Sequence, residues 1–291
     1  MATKKDMDDI KNLGQFIPLH YHFNMLLDNP RMKGFKTAID TLVRPTDTVL
    51  ELGCGTGPLS FFAAQRAKKV YSVEFNPELV EVSRRLTGIN NNGERIEIIH
   101  ADATEYVPPE PVQAVVCEML HVGLLREKQL EVIDAFKRNY QAKYGDELPV
   151  FIPGATIQAV QPVQQDFTFE GYYAPVIQFQ DPYSDNTQRT KELGSPAVYQ
   201  QIIYDQPFAQ NCEFNGQLSI TNEGKLNALR FITKSILAVS PETQQIVDWH
   251  NLYMVLPIEE IDVKAGDILN VSFEYPAGAA LSELTPKVSL V

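Results

Sequence analysis

Hydrophobic positions between residues 36 and 150 follow two alternating periodicities. Short runs that are apolar and mostly β-branched are typical of strands buried on both faces of a parallel sheet. These runs are residues 49–52, 70–74, 96–99 and 112–117. Between them, apolar residues recur every three or four positions, which predicts helices over residues 59–68, 77–86 and 124–140. The alternation predicts a doubly wound, Rossmann-like α/β unit with right-handed crossovers.

The pattern changes after residue 149. Many short runs rich in strand-forming residues follow, at residues 156–160, 167–169, 200–204, 212–220, 228–237, 251–256 and 270–275. Turn signals accompany them at Asn215-Gly216, Asn222-Glu223-Gly224 and Ala265-Gly266-Asp267. This pattern predicts a mainly antiparallel, barrel-like or sandwich unit. We therefore expect two domains, at residues 1–150 and 151–291. Within the second, residues 172–198 have weak periodicity and are interpreted as a loop, a lid or an oligomerisation arm.

Composition narrows the class of protein. A chain of 291 residues with 44% hydrophobic residues is large enough for one large or two modest domains with packed cores. No window holds 18 consecutive apolar residues and residues 1–6 lack an apolar stretch, so we expect neither a membrane span nor a secretory signal. Three widely spaced cysteines predict a reducing, cytoplasmic location and no metal site.

The net charge narrows the choice of partners. At −12 it disfavours nucleic acid, which requires a cationic surface. The same charge suits a basic substrate, although solubility alone explains it equally well.

The most informative sequence motif begins at the end of the first predicted strand and reads Glu51-Leu52-Gly53-Cys54-Gly55-Thr56-Gly57. Glycines at the carboxyl end of a strand allow the backbone to approach a ligand closely. A dinucleotide fingerprint is a poor fit, because Pro58 stands where its third glycine belongs. The acid and three alternate glycines resemble motif I of the class I S-adenosylmethionine-dependent methyltransferases. That cofactor carries a cationic sulfonium and an ammonium, which explains an acid beside the turn.

Two further acids follow the next two predicted strands. Glu74 lies 21 residues after Gly53, where a carboxylate accepts hydrogen bonds from both ribose hydroxyls. Asp102 is predicted to bind the adenine amino group, and the Ala103 backbone amide to meet a ring nitrogen. The carboxyl ends of parallel strands meet at one edge of a sheet, so these residues and the glycine turn predict one S-adenosylmethionine site.

Glu118 and Glu127 follow the fourth predicted strand, nine residues apart, and the second ends a Leu-Leu-x-Glu sequence. This segment resembles the double-glutamate loop of the protein arginine methyltransferases, in which two glutamates clamp a guanidinium. A guanidinium stays protonated and is bound bidentately by carboxylates. Two carboxylates localise its charge away from the reacting nitrogen. The alternative is that Glu127 only decorates the first turn of a helix that starts near Gly123.

The resemblance extends to residues 22–31, which match the family's His-x-x-Met-Leu-x-Asp-x-x-Arg segment. It implies a helix over the cofactor, with Arg31 on the cofactor carboxylate, His22 nearby and Met25 lining the acceptor pocket. It also implies that Trp249 walls that pocket. The alternatives are a surface charge for Arg31, a plain helix–core contact for Met25 and a barrel core residue for Trp249.

The sequence departs from the family on the acceptor side. Trp-Met-Gly-Tyr after the first glutamate is replaced by residues 119–122, Met-Leu-His-Val. The family's Thr-His-Trp loop has Asp248 in place of its histidine, which predicts two facing acids with Asp28 unless a cation or proton intervenes. The arm through which the family dimerises is not recognisable, although residues 172–198 lie in its place, so a homodimer stays open.

Three functions remain. The first is N-methylation of a guanidinium or other cationic nitrogen of a basic peptide or protein. The second is methylation of a small cationic molecule, such as free arginine or another amine, on the same scaffold. The third is a catalytically silent cofactor-binding or interaction protein. Competition between peptides and metabolites separates the first two, and cofactor binding without any product identifies the third.

Overall fold

The computed structural model describes residues 17–183 and 185–291. Its first part is a parallel sheet of five strands in the order β3-β2-β1-β4-β5. The strands are β1 (Thr48–Leu52), β2 (Lys69–Glu74), β3 (Ile96–His100), β4 (Ala114–Cys117) and β5 (Val150–Ile152). The helices are α1 (Leu19–Leu27), α2 (Asn29–Leu42), α3 (Pro58–Ala64), α4 (Pro77–Gly88) and α5 (Gln129–Tyr144). Residues 1–6, on which the expectation about a secretory signal rests, lie outside the described part.

The second part is antiparallel. Seven strands form its main sheet, with the path β10-β6-β13-β15-β9 and with β11 and β14 paired to β6 and β13. A three-stranded sheet, β12-β16-β17, and a small hairpin, β7-β8, accompany it. Their bounds are β6 (Ala155–Gln165), β7 (Thr168–Phe169), β8 (Tyr172–Tyr173), β9 (Gln178–Gln180), β10 (Thr190–Glu192), β11 (Ala197–Ile203), β12 (Asn211–Ser219), β13 (Gly224–Val239), β14 (Ile246–Asp248), β15 (Leu252–Val263), β16 (Ile268–Pro276) and β17 (Lys287–Leu290). The predicted fold class is confirmed.

Strand order explains where a ligand can bind. β1 lies between β2 and β4, and Leu52 at its carboxyl end pairs with Cys117 at the end of β4. The chain therefore leaves β1 toward one side and reaches β4 on the other, which opens a crevice at this edge of the sheet. The glycine turn after β1 and Glu118 after β4 both border it.

Several local predictions are wrong. The 124–140 helix begins only at Gln129, because Gly123, Leu124 and Arg126 have left-handed φ values of 72°, 55° and 66° that cannot continue a right-handed helix. Asn215-Gly216 is not a turn, since β12 pairs with β16 without interruption through both residues. Other differences concern strands. β3 is only half-buried because it is an edge strand. β5 was not predicted. β9 and β10, in the 172–198 segment, join the main antiparallel sheet.

The antiparallel part holds the loop that follows β4. Gly123 N donates to Thr233 Oγ1 at 2.7 Å, and the Tyr275 hydroxyl donates to Gly123 O at 2.7 Å. Gly278 N donates to Leu124 O at 2.7 Å. The loop therefore takes its shape from strands more than 100 residues away in sequence. Among the described helices, none is both long and apolar enough to span a membrane.

Candidate active site

A cavity of about 860 Å³ opens at the carboxyl edge of the parallel sheet and extends to the antiparallel part. It gathers nearly all of the residues that the sequence singled out. Those that line it are His22, Met25, Arg31, Glu51, Gly53, Gly55, Glu74, Asp102, Ala103, Glu118, Glu127 and Trp249. Gly57 does not line the cavity and instead stands at the amino end of α3.

The glycine turn has a conformation that requires glycine. Gly53, Gly55 and Gly57 have φ values of 77°, 56° and 85°, which side chains with a β-carbon rarely adopt. A β-carbon on Gly53 would overlap the Met119 side chain, and one on Gly55 would lie 2.6 Å from His22 Cε1. The turn therefore combines left-handed backbone with close contacts on its cavity side.

Glu74 fixes the turn from the neighbouring strand. Its carboxylate accepts hydrogen bonds from Gly55 N and from Asn76 N, both at 2.8 Å, and the residue is 8% exposed. Carboxylate oxygens have further lone pairs, so these bonds orient the group and leave acceptor capacity toward the cavity. Asp102 is held similarly, since its Oδ1 accepts from the backbone N and hydroxyl of Thr104. Ala103, beside it, is buried.

Glu51 lies beneath the turn and is 2% exposed. Burial raises its pKa to about 8, an effect opposed by hydrogen bonds from Ser60 and by the charge of Arg31. The carboxyl group is therefore largely protonated near neutral pH. A cation in the cavity would favour its charged form.

Arg31 and Glu118 form a buried ion pair that joins α2 to the end of β4. Arg31 Nε donates to Glu118 Oε2 at 2.9 Å, and Nη2 donates to the same oxygen. Sequence reasoning gave these side chains different partners, the cofactor and the acceptor, whereas here they contact each other. No described residue donates to Glu118 Oε1, so one oxygen of the carboxylate is available to a ligand.

Glu127 has a different environment from Glu118. The residue is half-buried and lines the cavity, and no described residue donates a hydrogen bond to its carboxyl. Burial by surrounding atoms and the charge of Glu118 raise its pKa to about 8, while Arg126 and Arg31 oppose that shift. The loop thus presents one ion-paired glutamate and one that is largely protonated near pH 7.

Helices α1 and α2 contribute residues to one side of the cavity. Asp28 caps α2 by accepting from Arg31 N at 2.9 Å, and the Met25 carbonyl accepts from Arg31 Nη1 at 3.4 Å. His22 packs on the glycine turn, and its buried Nε2 has no partner among the described residues. Burial and the charge of Arg31 lower the pKa of His22. A buried polar atom without a partner, beside the glycine turn, is a position where a bound ligand can supply the missing hydrogen bond.

Trp249 belongs both to the core and to the cavity wall. It is 5% exposed and its ring meets Phe35 edge-on at 6.1 Å, yet it lines the cavity and its indole nitrogen has no partner in the described structure. The neighbouring Asp248 pairs with Lys234, while Asp28 caps α2. The positive charge of Lys234 therefore compensates Asp248, the acid that stands where the family has a histidine.

Sequence reasoning missed three residues that line the acceptor side of the cavity, His121, Arg126 and Phe179. His121 and Phe179 meet edge-on with their ring centroids 4.9 Å apart. Phe179 comes from β9, within the weakly periodic segment, and no sequence signal placed it near the glutamates. Both His121 and Arg126 lie inside the glutamate loop, but only His121 falls in the segment that departs from the family pattern, and Arg126 stands at the unspecified position of Leu-Leu-x-Glu.

Comparisons with known proteins agree with this geometry. A family model described as a methyltransferase domain matches residues 49–142, which include the glycine turn and both glutamates. An uncharacterised protein of Methanocaldococcus jannaschii is 26% identical over 259 residues, covering 87% of this chain and 91% of that protein. Protein arginine N-methyltransferase 2 of Xenopus tropicalis is 34% identical over 132 residues, 43% of this chain and 30% of that protein. An arginine N(omega)-methyltransferase of Streptomyces achromogenes is 30% identical over 134 residues, 44% of this chain and 37% of that protein.

Solved structures share the fold over nearly the whole chain. Protein arginine methyltransferase 10 of Arabidopsis thaliana has a TM-score of 0.72 at 18% identity, covering 94% of this chain and 98% of that one. The protein arginine methyltransferase 1 enzyme–prozyme complex of Trypanosoma brucei with S-adenosylhomocysteine has a TM-score of 0.69 at 16% identity, covering 93% and 96%. Fold and site together define an S-adenosylmethionine-dependent methyltransferase. Within that class, the chain resembles the protein arginine methyltransferases.

Proposed function

We propose that the protein methylates a guanidinium or another cationic nitrogen, and that Glu118 and Glu127 bind and orient this acceptor. The observation that carries the proposal is the position of both carboxyls on one loop, in the wall of the cavity that also contains the glycine turn. A cationic acceptor is the ligand whose charge two convergent carboxyls complement. The similarity to named arginine methyltransferases supports the same acceptor chemistry.

The cofactor half of the site is assigned to residues near the first three strand ends. Gly53 and Gly55 allow close backbone approach, Glu74 takes the ribose, and Asp102 with Ala103 takes the adenine. Bound S-adenosylmethionine supplies an electrophilic methyl group on its sulfonium.

The polar end of the cofactor is assigned to a second set of residues. His22 has a buried, unpaired nitrogen and Arg31 is a buried cation, so both suit its carboxylate. Glu51 and Gly57 complete the set, the first as an acid beneath the turn and the second as the residue that starts α3.

Glu118 has a fixed orientation before any acceptor binds. Arg31 holds one of its oxygens, and the other remains able to accept from a guanidinium or ammonium. An orientation that is set in advance removes an entropic cost from the reactive complex and aligns the acceptor nitrogen for in-line attack. Met25 and Trp249 are assigned to the walls of this acceptor pocket.

Glu127 responds to the acceptor. With a pKa of about 8 it is largely protonated without a ligand, and an approaching cation favours the carboxylate. The carboxylate then draws positive charge to its side of the acceptor and leaves the lone pair of the reacting nitrogen available. Glu127 releases its own proton to solvent when the cation binds, and the acceptor nitrogen releases a second proton when it gains the methyl group.

We assign the cofactor and the two acceptor-binding glutamates to residues 1–150, and further contacts to the acceptor, with any oligomer contacts, to residues 151–291. The parallel sheet ends at Ile152 and the antiparallel part begins at Ala155, which supports this division. A small cationic acceptor is the second candidate, because residues 119–122 depart from the arginine methyltransferase pattern and one relative is named for methylating arginine itself.

The test is methyl transfer from labelled S-adenosylmethionine to arginine peptides and to free cationic amines. Glu118→Gln removes the charge while keeping the shape, and we expect kcat/KM to fall about a hundredfold or more. Glu81→Gln, the same change on a side chain of α4 that is 77% exposed, should have no effect. Unchanged turnover in Glu118→Gln would show that the glutamate does not bind the acceptor.

A further inference from the structure

The acceptor side of the cavity also carries a cation. Arg126 directly precedes Glu127 and lines the same cavity. Within the described residues, its guanidinium forms neither an ion pair nor a hydrogen bond. An arginine in a pocket built for a cationic acceptor is unexpected, because like charges repel unless the ligand also carries a negative group.

The backbone holds Arg126 in this place. Its φ is 66° and that of Leu124 is 55°, a left-handed conformation that is disfavoured for residues with a β-carbon. Arg126 N donates to Ala279 O at 2.8 Å, and Gly123 is fixed by Thr233 and Tyr275. The antiparallel part therefore imposes the conformation that puts this residue in the cavity wall. Backbone in sparsely populated regions occurs preferentially at ligand sites.

The charge of Arg126 is not neutralised by the glutamate beside it. Arg126 and Glu127 are neighbours in sequence, yet they form no ion pair, while Glu118 is paired with Arg31. His121 adds no charge at neutral pH, since burial and the charge of Arg126 lower its pKa to about 4. The acceptor side thus offers carboxyls for a cationic nitrogen and one guanidinium for an anionic group.

We propose that Arg126 binds a carboxylate of the methyl acceptor, so that the substrate is a small amino-acid-type zwitterion with a cationic side-chain nitrogen. The inference rests on the proposed function, in which the glutamates take the nitrogen. A guanidinium binds a carboxylate bidentately, which gives both affinity and orientation. A residue inside a peptide lacks that group, because its α-carboxyl is part of a neutral amide. A cavity of about 860 Å³ has room for a small molecule of this size next to the cofactor.

The test compares acceptors that differ only in the carboxylate. L-arginine and L-argininamide form one pair, and L-lysine and L-lysinamide form another. Titration calorimetry on the full chain saturated with S-adenosylhomocysteine measures their binding without any reaction. In the wild type, we expect the member of one pair that carries the carboxylate to bind about tenfold to a hundredfold more tightly than its amide.

Substitutions then assign that preference to the residue. Arg126→Gln should reduce the preference for the carboxylate to less than about twofold. Arg126→Lys should keep part of this preference, because lysine still provides a point charge. Arg85→Gln, the same change at an exposed position in the last turn of α4, is the matched control and should keep the full preference. Equal affinities in the wild type, a full preference in Arg126→Gln, or no binding of any acceptor would each overturn the proposal.

Methyl transfer to the same four acceptors separates this inference from the proposed function. Carboxylate-dependent binding in the wild type without transfer would leave the Arg126 subsite standing and refute the methylation of a cationic nitrogen. Transfer to both members of each pair at equal kcat/KM would support that reaction and refute the subsite. The wild-type comparison keeps the inference testable even if an Arg126 variant fails to fold.

Discussion

At the scale of single residues, the site separates two glutamates that look equivalent in sequence. Glu118 is held by a buried arginine, whereas Glu127 has no such partner among the described residues and a pKa of about 8. The difference comes from α2, which brings Arg31 to one glutamate and not to the other. Neighbours from elsewhere in the chain therefore give the two carboxyls different environments.

The pKa of Glu127 predicts a pH dependence. Only the carboxylate form attracts a cationic acceptor, so kcat/KM should rise as the pH increases through about 8 and then level off. A steady-state profile between pH 6 and 9.5 measures it. Glu51 also has a pKa of about 8, so Glu51→Gln is the necessary comparison. A step that disappears in Glu51→Gln would assign the titration to the residue beneath the glycine turn instead.

At the scale of elements, the turn between β1 and α3 depends on backbone that only glycine adopts easily. Gly55 has a φ of 56° and faces the His22 ring, so its replacement strains both the turn and the helix that covers it. Gly55 N of the same turn donates a hydrogen bond to the carboxylate of Glu74, which ends β2. The conformation of the turn therefore depends on two strands and a covering helix together.

Gly55→Ala is expected to lower the free energy of unfolding by about 1–3 kcal/mol and to weaken cofactor binding at least as much. Gly88→Ala is the matched control, because Gly88 ends α4 with nothing within 4 Å of an added β-carbon. That change should alter stability by less than about 0.5 kcal/mol. Urea unfolding and cofactor titration measure both effects, and equal behaviour of the two variants would contradict the role given to the turn.

At the scale of the whole molecule, the antiparallel part shapes the acceptor loop. Tyr275 is 1% exposed and its hydroxyl bonds to Gly123 O, next to the left-handed residues that precede Glu127. Phe179 from β9 closes the same side of the cavity. Both halves of the chain thus line the cavity near the glutamates, while most of the wall around the glycine turn is built from the parallel sheet and its loops.

Tyr275→Phe should therefore raise the KM for the acceptor and leave the Kd for the cofactor nearly unchanged. Losing a buried hydrogen bond should also cost about 1–3 kcal/mol of stability. Tyr140→Phe makes the same chemical change at another buried tyrosine, whose hydroxyl bonds to the backbone of Val112 and not to the loop. A similar rise in KM in Tyr140→Phe would mean that general destabilisation, and not the loop, is responsible.

Local sequence was sufficient for the parallel sheet. β-branched runs and the glycine turn depend on neighbours within a few residues, so β1, β2 and β4 were found to within two residues. Sequence reasoning did not find that β3 is an edge strand, that Asn215 and Gly216 pair without interruption, or that α5 starts late. Each depends on hydrogen bonds to strands that are distant in sequence, and periodicity does not contain that information.

By itself, the sequence determined the fold class and the cofactor chemistry and singled out the two glutamates as candidates, because each depends on residue types at fixed short spacings. Only the tertiary structure decided that Arg31 holds Glu118, that Lys234 pairs with the acid at Asp248, and that Arg126 lies unpaired in the cavity wall. These contacts join segments that lie far apart in the chain. The charged side chains interact strongly only when folding removes water and brings them to the same edge of the sheet.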